Sequence, residues 1–172
     1  MPRNIEIKAK IDSAGALIPA AAALADQGPF EIDQDDTFFE CPNGRLKLRE
    51  LSRDEGELIF YQRADEAGPK ESFYVIARTP TPSAMRDVLA RAYGIAGRVR
   101  KHRTLYLAGR TRIHLDRVED LGDFLELEVV LAADEAPQSG LDEAYRLLAS
   151  LRVHPSQLQA GAYVDYLANL GR

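Results

Sequence analysis

Charged side chains recur at every second position in several short segments of this 172-residue chain. The cationic set comprises Lys8, Lys10, Arg45, Lys47, Arg49, Arg63, Lys101, Arg103 and Arg112. The anionic set comprises Glu6, Asp116, Glu126 and Glu128. Carboxylates are ligands that hard divalent cations prefer, and Lys and Arg bind phosphate oxygens. If both sets face one cavity, they would suit a polyanion that is held partly through a divalent metal ion.

The charges are unevenly distributed along the chain, whose net charge is -5. Residues 1–44 carry 3 basic and 8 acidic side chains, residues 45–112 carry 15 and 8, and residues 113–172 carry 4 and 11. This pattern indicates either charge pairing within one fold or a site that gathers cations and anions. Because nucleic-acid-coating proteins need a surplus of Lys and Arg, we expect no nucleic-acid partner.

Cysteine and histidine limit the metal chemistry. The single cysteine, Cys41, cannot form an intrachain disulfide, and three histidines (His102, His114 and His154) do not complete a Cys/His zinc cluster. We therefore expect any metal ion to be held by oxygen. His114 lies in a charged strand segment, where a lone histidine is more simply interpreted as a hydrogen-bonded structural residue than as a metal ligand.

Alternation of apolar and polar residues predicts most of the elements. Residues 4–11 place Ile5 and Ile7 on one face and Glu6 and Lys8 on the other. Strands are predicted at 4–11, 37–40, 45–49, 58–63, 72–78, 99–107, 110–118 and 124–130. Helices are predicted at 15–27, 83–93, 141–151 and 155–170, with Ser83 as an N-cap and Gly94 as a stop.

Eight strands in hairpin succession predict antiparallel pairing and a sheet that closes on itself. If the helices cover the apolar face, the charged faces of all strands point into the lumen. We therefore expect an α+β fold: an eight-stranded antiparallel β-barrel, or tunnel, with a charged lumen and helices packed outside. An open sheet with its charged face in water is the alternative, but sorted charge signs favour the tunnel.

No apolar run approaches the roughly 20 residues that span a bilayer. The small apolar run from Ala14 to Ala25 resembles a signal-peptide core, but Glu6 and Asp12 precede it within a strand pattern. We expect a cytoplasmic protein without a membrane partner, and one domain that spans residues 1–172.

The ordered motifs resemble those of the CYTH family, the triphosphate tunnel enzymes that include class IV adenylate cyclases and thiamine triphosphatases. The family's first strand reads E-x-E-x-K, and this chain has Asn4-Ile5-Glu6-Ile7-Lys8. Further matches are Asp36-Thr37-Phe38-Phe39, Gly44 to Glu50, Tyr61-Gln62-Arg63, Gly68-Pro69-Lys70, Lys101 to Tyr106, Ile113 to Gly122 and Phe124 to Glu128. The resemblance is greatest to class IV adenylate cyclases.

The resemblance implies a site that binds a triphosphate and Mg²⁺ or Mn²⁺. The implied metal ligands are Glu6, Asp116, Glu126 and Glu128. The implied triphosphate-binding residues are Lys8, Arg45, Lys47, Arg49, Arg63, Lys70, Lys101, Arg103 and Arg112, with Arg78 as a further candidate. Glu6 and Lys8 are the implied catalytic residues. We expect an electrostatic role for Lys8, because a lysine among carboxylates tends to stay protonated.

Two positions depart from the family pattern. Asn4 stands where relatives carry the first glutamate, so a neutral carbonyl oxygen replaces an anionic ligand. Phe38 stands where many relatives carry tyrosine and lacks its hydroxyl group. Both changes bear on how tightly the site holds metal and phosphate.

The resemblance leaves more than one activity open. A class IV cyclase converts ATP to cyclic AMP and pyrophosphate, whereas a triphosphatase hydrolyses thiamine triphosphate, tripolyphosphate or a nucleoside triphosphate. A non-catalytic sensor that binds a triphosphate is the third hypothesis, favoured by Asn4. The sequence also leaves a homodimer open.

Overall fold

The computed structural model describes residues 2–64 and 67–170. Its strands are β1 (Arg3–Lys10), β2 (Gln27–Phe39), β3 (Arg45–Ser52), β4 (Glu55–Arg63), β5 (Lys70–Thr79), β6 (Ile95–Ala108), β7 (Thr111–Val118) and β8 (Gly122–Leu131). Its α-helices are α1 (Ala14–Leu24), α2 (Pro82–Tyr93), α3 (Pro137–Ser150) and α4 (Tyr163–Leu170), and a 3-10 turn spans Pro155–Gln157. The predicted domain range of 1–172 extends beyond the described residues at both ends.

The eight strands form a closed barrel in the order β1-β5-β4-β3-β2-β6-β7-β8. Every neighbouring pair is antiparallel, including β1 with β8, which closes the sheet. Because side chains alternate between the two faces of a strand, one set points outward and the other into the lumen. The predicted eight-stranded antiparallel barrel is confirmed.

The outward apolar face is buried under helices. Ile5, Ile7, Leu115 and Leu127 belong to a core cluster that also includes buried residues of α1 and α3. A smaller cluster joins Leu48 on β3 to Leu89 on α2. The helices therefore bury the apolar side of several strands, including β1, β3, β7 and β8, and leave the charged side for the lumen.

The start of β2 differs from the prediction. Helix α1 ends at Leu24, and the 13-residue strand β2 begins at Gln27, whereas the sequence predicted a helix to residue 27 and a strand only at 37–40. Residues 27–33 are mostly exposed, so they show no apolar face to reveal a strand. Backbone pairing with β6 forms this half of β2.

The C-terminal region also differs from the prediction of one helix over 155–170. The chain leaves the 3-10 turn at Leu158, whose backbone bridges Ala9, and Gln159 N–H donates to the carbonyl of Lys8 at 2.9 Å. Gly161 then adopts a φ of 81°, which lies outside helical backbone geometry. Only Tyr163–Leu170 is α-helical after this bend.

Other boundaries move by a few residues. Helix α2 begins at Pro82 with Thr81 as its N-cap rather than Ser83, and it ends at Tyr93, where Gly94 is the predicted stop. Strand β6 begins at Ile95 rather than residue 99, and α3 begins at Pro137 rather than 141. None of the helices in the described ranges is both long and apolar enough to cross a bilayer.

Candidate active site in the tunnel

The inward-facing side chains enclose a cavity of about 140 Å³. The structure brings most of the predicted site residues to this cavity: Glu6, Lys8, Lys47, Arg49, Arg63, Lys101, Arg103, Arg112, Glu126 and Glu128. An apolar wall completes the lining, formed by Phe38, Ile59, Tyr61, Tyr74, Ile76 and Val99. The cavity is thus strongly charged on one side and aromatic or aliphatic on another.

The remaining predicted residues lie beside the cavity rather than on its lining. Asp116 is completely buried and binds Arg103. Arg45 is paired with Asp165 of α4 at 2.6 Å. Lys70 is buried and stands opposite Glu6 in the pairing of β1 with β5, and Arg78 is exposed near the end of β5.

The predicted carboxylate ligands are all close to cations. Glu6 lies 3.0 Å from the guanidinium of Arg63. Glu126 lies 3.8 Å from Lys8 and 3.9 Å from Arg103. Glu128 accepts hydrogen bonds from Asn4 at 2.5 Å and Arg112 at 2.8 Å. Each of these carboxylates is therefore paired with a cation of another strand inside the lumen.

Burial and mutual repulsion act on the same carboxylates. Burial raises the pKa of Glu6, and the negative charge of Glu126 raises it further, against the opposing effect of Arg63. Burial also opposes ionisation of Glu126, but neighbouring His114, Lys8 and Arg103 hold the pKa of Glu126 well below its usual value. These carboxylates are close enough to repel each other, which is the charge arrangement that a divalent cation relieves.

Two buried aspartates position cations of the site. Asp116 accepts hydrogen bonds from both Nε and an Nη atom of Arg103, at 2.7 and 2.8 Å. Asp36 accepts two hydrogen bonds at 2.8 Å from Arg49 and one at 3.0 Å from Lys47. Burial opposes the ionisation of Asp36, but Arg49 and Lys47 hold its pKa far below the usual value. Both carboxylates thus order the guanidinium groups in the tunnel.

Asp36 belongs to the motif Asp36-Thr37-Phe38-Phe39 but has no predicted role in the sequence. The predicted strand began one residue later, at 37, so the face on which Asp36 lies was not assigned. The signal that could have revealed it is the spacing of Asp36 and Phe38, both of which face the lumen.

Residues 161–165, here called the C-terminal segment, enter the same site. The carbonyl of Gly161 accepts hydrogen bonds from Lys8 at 3.2 Å and Arg63 at 2.8 Å. The Tyr163 hydroxyl donates to Asp116 at 2.9 Å, and its ring centroid lies 4.1 Å from Nζ of Lys8. The segment therefore occupies positions around cations that were assigned to the triphosphate. The sequence interpretation treated Tyr163 as a packing residue, and it is both buried and hydrogen-bonded to the site.

The pKa of Lys8 is lower than expected for a lysine that is surrounded by carboxylates. Burial lowers its pKa to about 8, although Glu126 and Glu6 raise it, and Arg63 lowers it further. Desolvation thus outweighs the carboxylates in this structure. Lys8 is mostly protonated at pH 7 and loses its charge within the pH range of ordinary assays.

His114 is only 3% exposed and lies between two carboxylates. Its Nδ1 is 3.5 Å from Oε1 of Glu126, and its Nε2 is 3.9 Å from Oε2 of Glu128. Nδ1 has no hydrogen bond of ordinary geometry among the described residues, and its interaction with Glu126 is a longer electrostatic contact. The interpretation of His114 as a structural residue stays a prediction. Burial and the nearby Arg103 lower the pKa of His114.

The donor chemistry of the site fits a hard divalent cation. Glu6, Glu126 and Glu128 offer carboxylate oxygens, and Oδ1 of Asn4 is buried without a hydrogen-bond partner among the described residues. Within those residues, however, no three His, Cys, Asp or Glu side chains are gathered around one point. Candidate oxygen donors are present, and the three carboxylates are paired with cations.

The fold and this charged tunnel identify the class of protein. The CYTH domain model matches residues 2–163, and the chain belongs to the CYTH family. The resemblance found in the sequence is confirmed.

The sequence identity to individual relatives is low. The chain is 24% identical over 168 residues to adenylate cyclase CyaB of Aeromonas hydrophila, covering 93% of this chain and 86% of that protein. Its fold is similar to that of the PH1012 protein of Pyrococcus horikoshii, with a TM-score of 0.83, 21% identity and coverage of 94% and 98%. It is also similar to HpAC1 of Hippeastrum, with a TM-score of 0.68, 15% identity and coverage of 100% and 97%.

Proposed function

We propose that this protein catalyses a divalent-metal-dependent reaction at a phosphorus atom of a triphosphate. The observation that supports this most directly is the joint presence of Lys and Arg side chains and three glutamates on one tunnel cavity. Reactions of this kind depend on positioning and charge neutralisation rather than on a protein nucleophile. A bound Mg²⁺ or Mn²⁺ would stabilise charge on the attacking and leaving oxygens.

The protein's own residues have distinct parts in this proposal. Lys8, Lys47, Arg49, Arg63, Lys101, Arg103 and Arg112 bind phosphate oxygens, with Arg45 and Lys70 as outer contacts. Glu6, Glu126 and Glu128 hold the metal ion. Asp116 is assigned to orienting Arg103, since that guanidinium, Lys101 and Tyr163 already surround it.

The apolar wall of the cavity favours a substrate that carries an organic group. Phe38, Tyr61 and Tyr74 offer aromatic surface that inorganic tripolyphosphate would not use. We therefore take ATP as the first candidate, converted to cyclic AMP and pyrophosphate by attack of the ribose 3′-hydroxyl on the α-phosphorus. The similarity to an adenylate cyclase supports this choice.

Hydrolysis of the triphosphate is the second candidate. With the C-terminal segment in place, a cavity of about 140 Å³ is smaller than the roughly 300–1,000 Å³ of ordinary ligand pockets. Such a space favours entry of the phosphate chain alone, with water attacking the γ-phosphorus. For HpAC1 of Hippeastrum, a dominant triphosphatase activity is described.

Product analysis distinguishes these reactions. Purified protein is incubated with Mg²⁺ or Mn²⁺ and, separately, ATP, thiamine triphosphate and tripolyphosphate, and the products are resolved by chromatography. Cyclic AMP with pyrophosphate establishes the cyclase, and orthophosphate establishes the triphosphatase. Binding of a triphosphate without any product would contradict the enzymatic proposal and leave a sensor.

A variant pair tests whether the tunnel is the site. We expect Glu126→Gln to lower metal-dependent turnover by at least about 100-fold, because it removes an anionic ligand of the ion while keeping the side chain's size. Asp54→Asn removes a carboxylate on the exposed β3–β4 turn and should leave turnover unchanged. Wild-type rates for Glu126→Gln at limiting metal would contradict the assignment of this carboxylate.

A further inference from the structure

The side chain of Tyr163 reaches from the C-terminal segment into the barrel. It is 5% exposed, and its hydroxyl group lies 2.9 Å from Oδ2 of Asp116, which is completely buried. Because an ionised carboxylate can only accept hydrogen bonds, the hydroxyl group is the donor. This hydrogen bond joins the first residue of α4 to strand β7.

The same carboxylate holds a cation of the tunnel. Asp116 stands opposite Arg103 in the pairing of β6 with β7, and Nε and Nη2 of Arg103 donate to its two oxygens at 2.7 and 2.8 Å. A two-point contact of this kind fixes the plane of the guanidinium group as well as its position. Since Arg103 lines the cavity, Asp116 determines how that guanidinium group is presented to a ligand.

The hydroxyl group of Tyr163 fixes this pair relative to the rest of the fold. Two side chains that bind only each other can shift together, whereas a donor from another element holds one oxygen in place. Lys101 lies 3.7 Å from the same Oδ2 atom, which is too far for a hydrogen bond. The ring of Tyr163 is itself held by an edge-to-face contact with Phe124, with 4.9 Å between the ring centroids.

The ring of Tyr163 has separate contacts with two ammonium groups. Its centroid lies 4.1 Å from Nζ of Lys8 and 4.8 Å from Nζ of Lys101, within the range of cation–π interactions. These contacts require the ring and not the hydroxyl group. Phenylalanine at position 163 would therefore keep them and lose only the hydrogen bond to Asp116.

We propose that Tyr163 is a positioning residue, which acts through Asp116 to hold Arg103 in the orientation that stabilises charge on the reacting phosphate. This inference rests on the proposed function and adds to it a residue from outside the barrel strands. Stabilisation of a transition state depends on donors that are in place before the reaction, and a shift of about 1 Å can cost about 100-fold in rate. Binding of the triphosphate is shared among many cations, so we expect the hydroxyl group to affect kcat rather than KM.

Steady-state kinetics with ATP, thiamine triphosphate and tripolyphosphate test this division. For the substrate that is converted, Tyr163→Phe should lower kcat by about tenfold and leave KM within about twofold of the wild type. Tyr166→Phe is the matched control on α4, because its hydroxyl group donates to the carbonyl of Ala160 rather than to Asp116. An unchanged kcat in Tyr163→Phe, or an effect on KM alone, overturns this inference and leaves the proposed function standing. If the wild type converts none of the three substrates, both fail.

Nuclear magnetic resonance of the arginine side chains provides a readout that does not depend on turnover. The Nε–H signal of Arg103 is identified by its absence from Arg103→Lys. We expect this proton to exchange with water slowly in the wild type and about tenfold faster in Tyr163→Phe, with no change in Tyr166→Phe. Exchange in the wild type as fast as that of the exposed Arg91 would overturn the inference without any variant. Equal exchange in the wild type and Tyr163→Phe would overturn it as well.

Discussion

At the scale of single residues, burial and charge oppose each other at Lys8. Its ammonium group contacts Glu126 at 3.8 Å and the carbonyl of Gly161 at 3.2 Å, yet burial lowers its pKa to about 8. A lysine is charged below its pKa and neutral above it. Its charge is therefore available to a phosphate at pH 7 and is lost as the pH rises through 8.

The pH dependence of catalysis tests the role of Lys8. If its charge binds phosphate, kcat/KM should fall as pH rises through about 8. Lys8→Arg should remove this descent, because guanidinium stays protonated. Lys10→Arg is the matched control on the same strand face, where Lys10 is exposed. A rise of kcat/KM through pH 8 in the wild type would instead identify Lys8 as a base.

Asp36 gives a prediction about stability. It is 2% exposed and forms ion pairs with both Lys47 and Arg49. Asp36→Asn leaves two buried cations without their carboxylate, so we expect a loss of about 3–5 kcal/mol in the free energy of unfolding, or about 10 °C in Tm. Added tripolyphosphate should restore much of this loss, because its oxygens can replace the carboxylate.

The neighbouring aspartate provides the control. Asp35 lies on the outer face and pairs with Arg98 at 2.7 Å near the surface. Asp35→Asn should cost no more than about 1 kcal/mol and should show no extra rescue by tripolyphosphate. Equal losses of unfolding free energy in the two variants would contradict the prediction that the buried ion pairs contribute more to stability than the pair near the surface. Thermal denaturation with and without tripolyphosphate measures both effects.

At the scale of elements, the C-terminal segment and α4 set how open the tunnel is. The segment holds Lys8 and Arg63 through one carbonyl, and Asp165 holds Arg45. Helix α4 approaches β6 closely, since a Cβ atom at Gly97 would clash with Cγ2 of Val164. The packing of α4 against β6 thus requires glycine at position 97, where a side chain would leave too little room.

Gly97→Ala should displace α4 by overpacking this contact. We expect Tm to fall by about 2–8 °C and the affinity for tripolyphosphate to rise several-fold, as cations are released from the segment. Gly15→Ala is the control, because its new Cβ atom would make only ordinary contacts at 3.6 and 3.7 Å. Weaker binding by Gly97→Ala would show that the segment helps to bind the anion. Calorimetric titration and thermal denaturation provide the two readouts.

At the scale of the whole molecule, internal ion pairs occupy the carboxylates of the tunnel. Each implied carboxylate ligand has a cation within 4.0 Å, such as Arg63 for Glu6 and Arg112 for Glu128. A triphosphate can replace the carboxylates as the partner of these cations, which frees the carboxylates for a metal ion. Binding of the two ligands should therefore be mutually reinforcing, since each relieves the charge left by the other.

Thermal stability in the presence of each ligand tests this coupling. We expect Mg²⁺ or Mn²⁺ alone to change Tm little, methylene-bridged tripolyphosphate alone to raise it, and both together to raise it by more than the sum of the separate shifts. Since metal also binds the free analogue, the metal's affinity for the protein is measured with the analogue at saturation. Strictly additive shifts would contradict the exchange of partners.

Much of the fold follows from the local alternation of apolar and charged residues. A period of two places Glu6 and Lys8, or Glu126 and Glu128, on one face of a strand whatever the rest of the chain does. Apolar residues on the other face require a cover of helices, so the barrel and the sign-sorted lumen follow from the sequence. The exposed half of β2 and the break at Gly161 do not, because backbone pairing with distant strands determines them.

Only the tertiary structure decides which charges meet. The sequence places Asp116 and Glu126 in one charged set. In the structure, the strand register places Asp116 opposite Arg103, which donates hydrogen bonds to it. Glu126 instead lines the cavity, close to His114. It is also closure of the barrel that brings residues 161–165 against Lys8, more than 150 positions earlier in the chain. Alternation is a property of each strand and can be read locally. Pairing depends on register and closure, which exist only when all eight strands are in place.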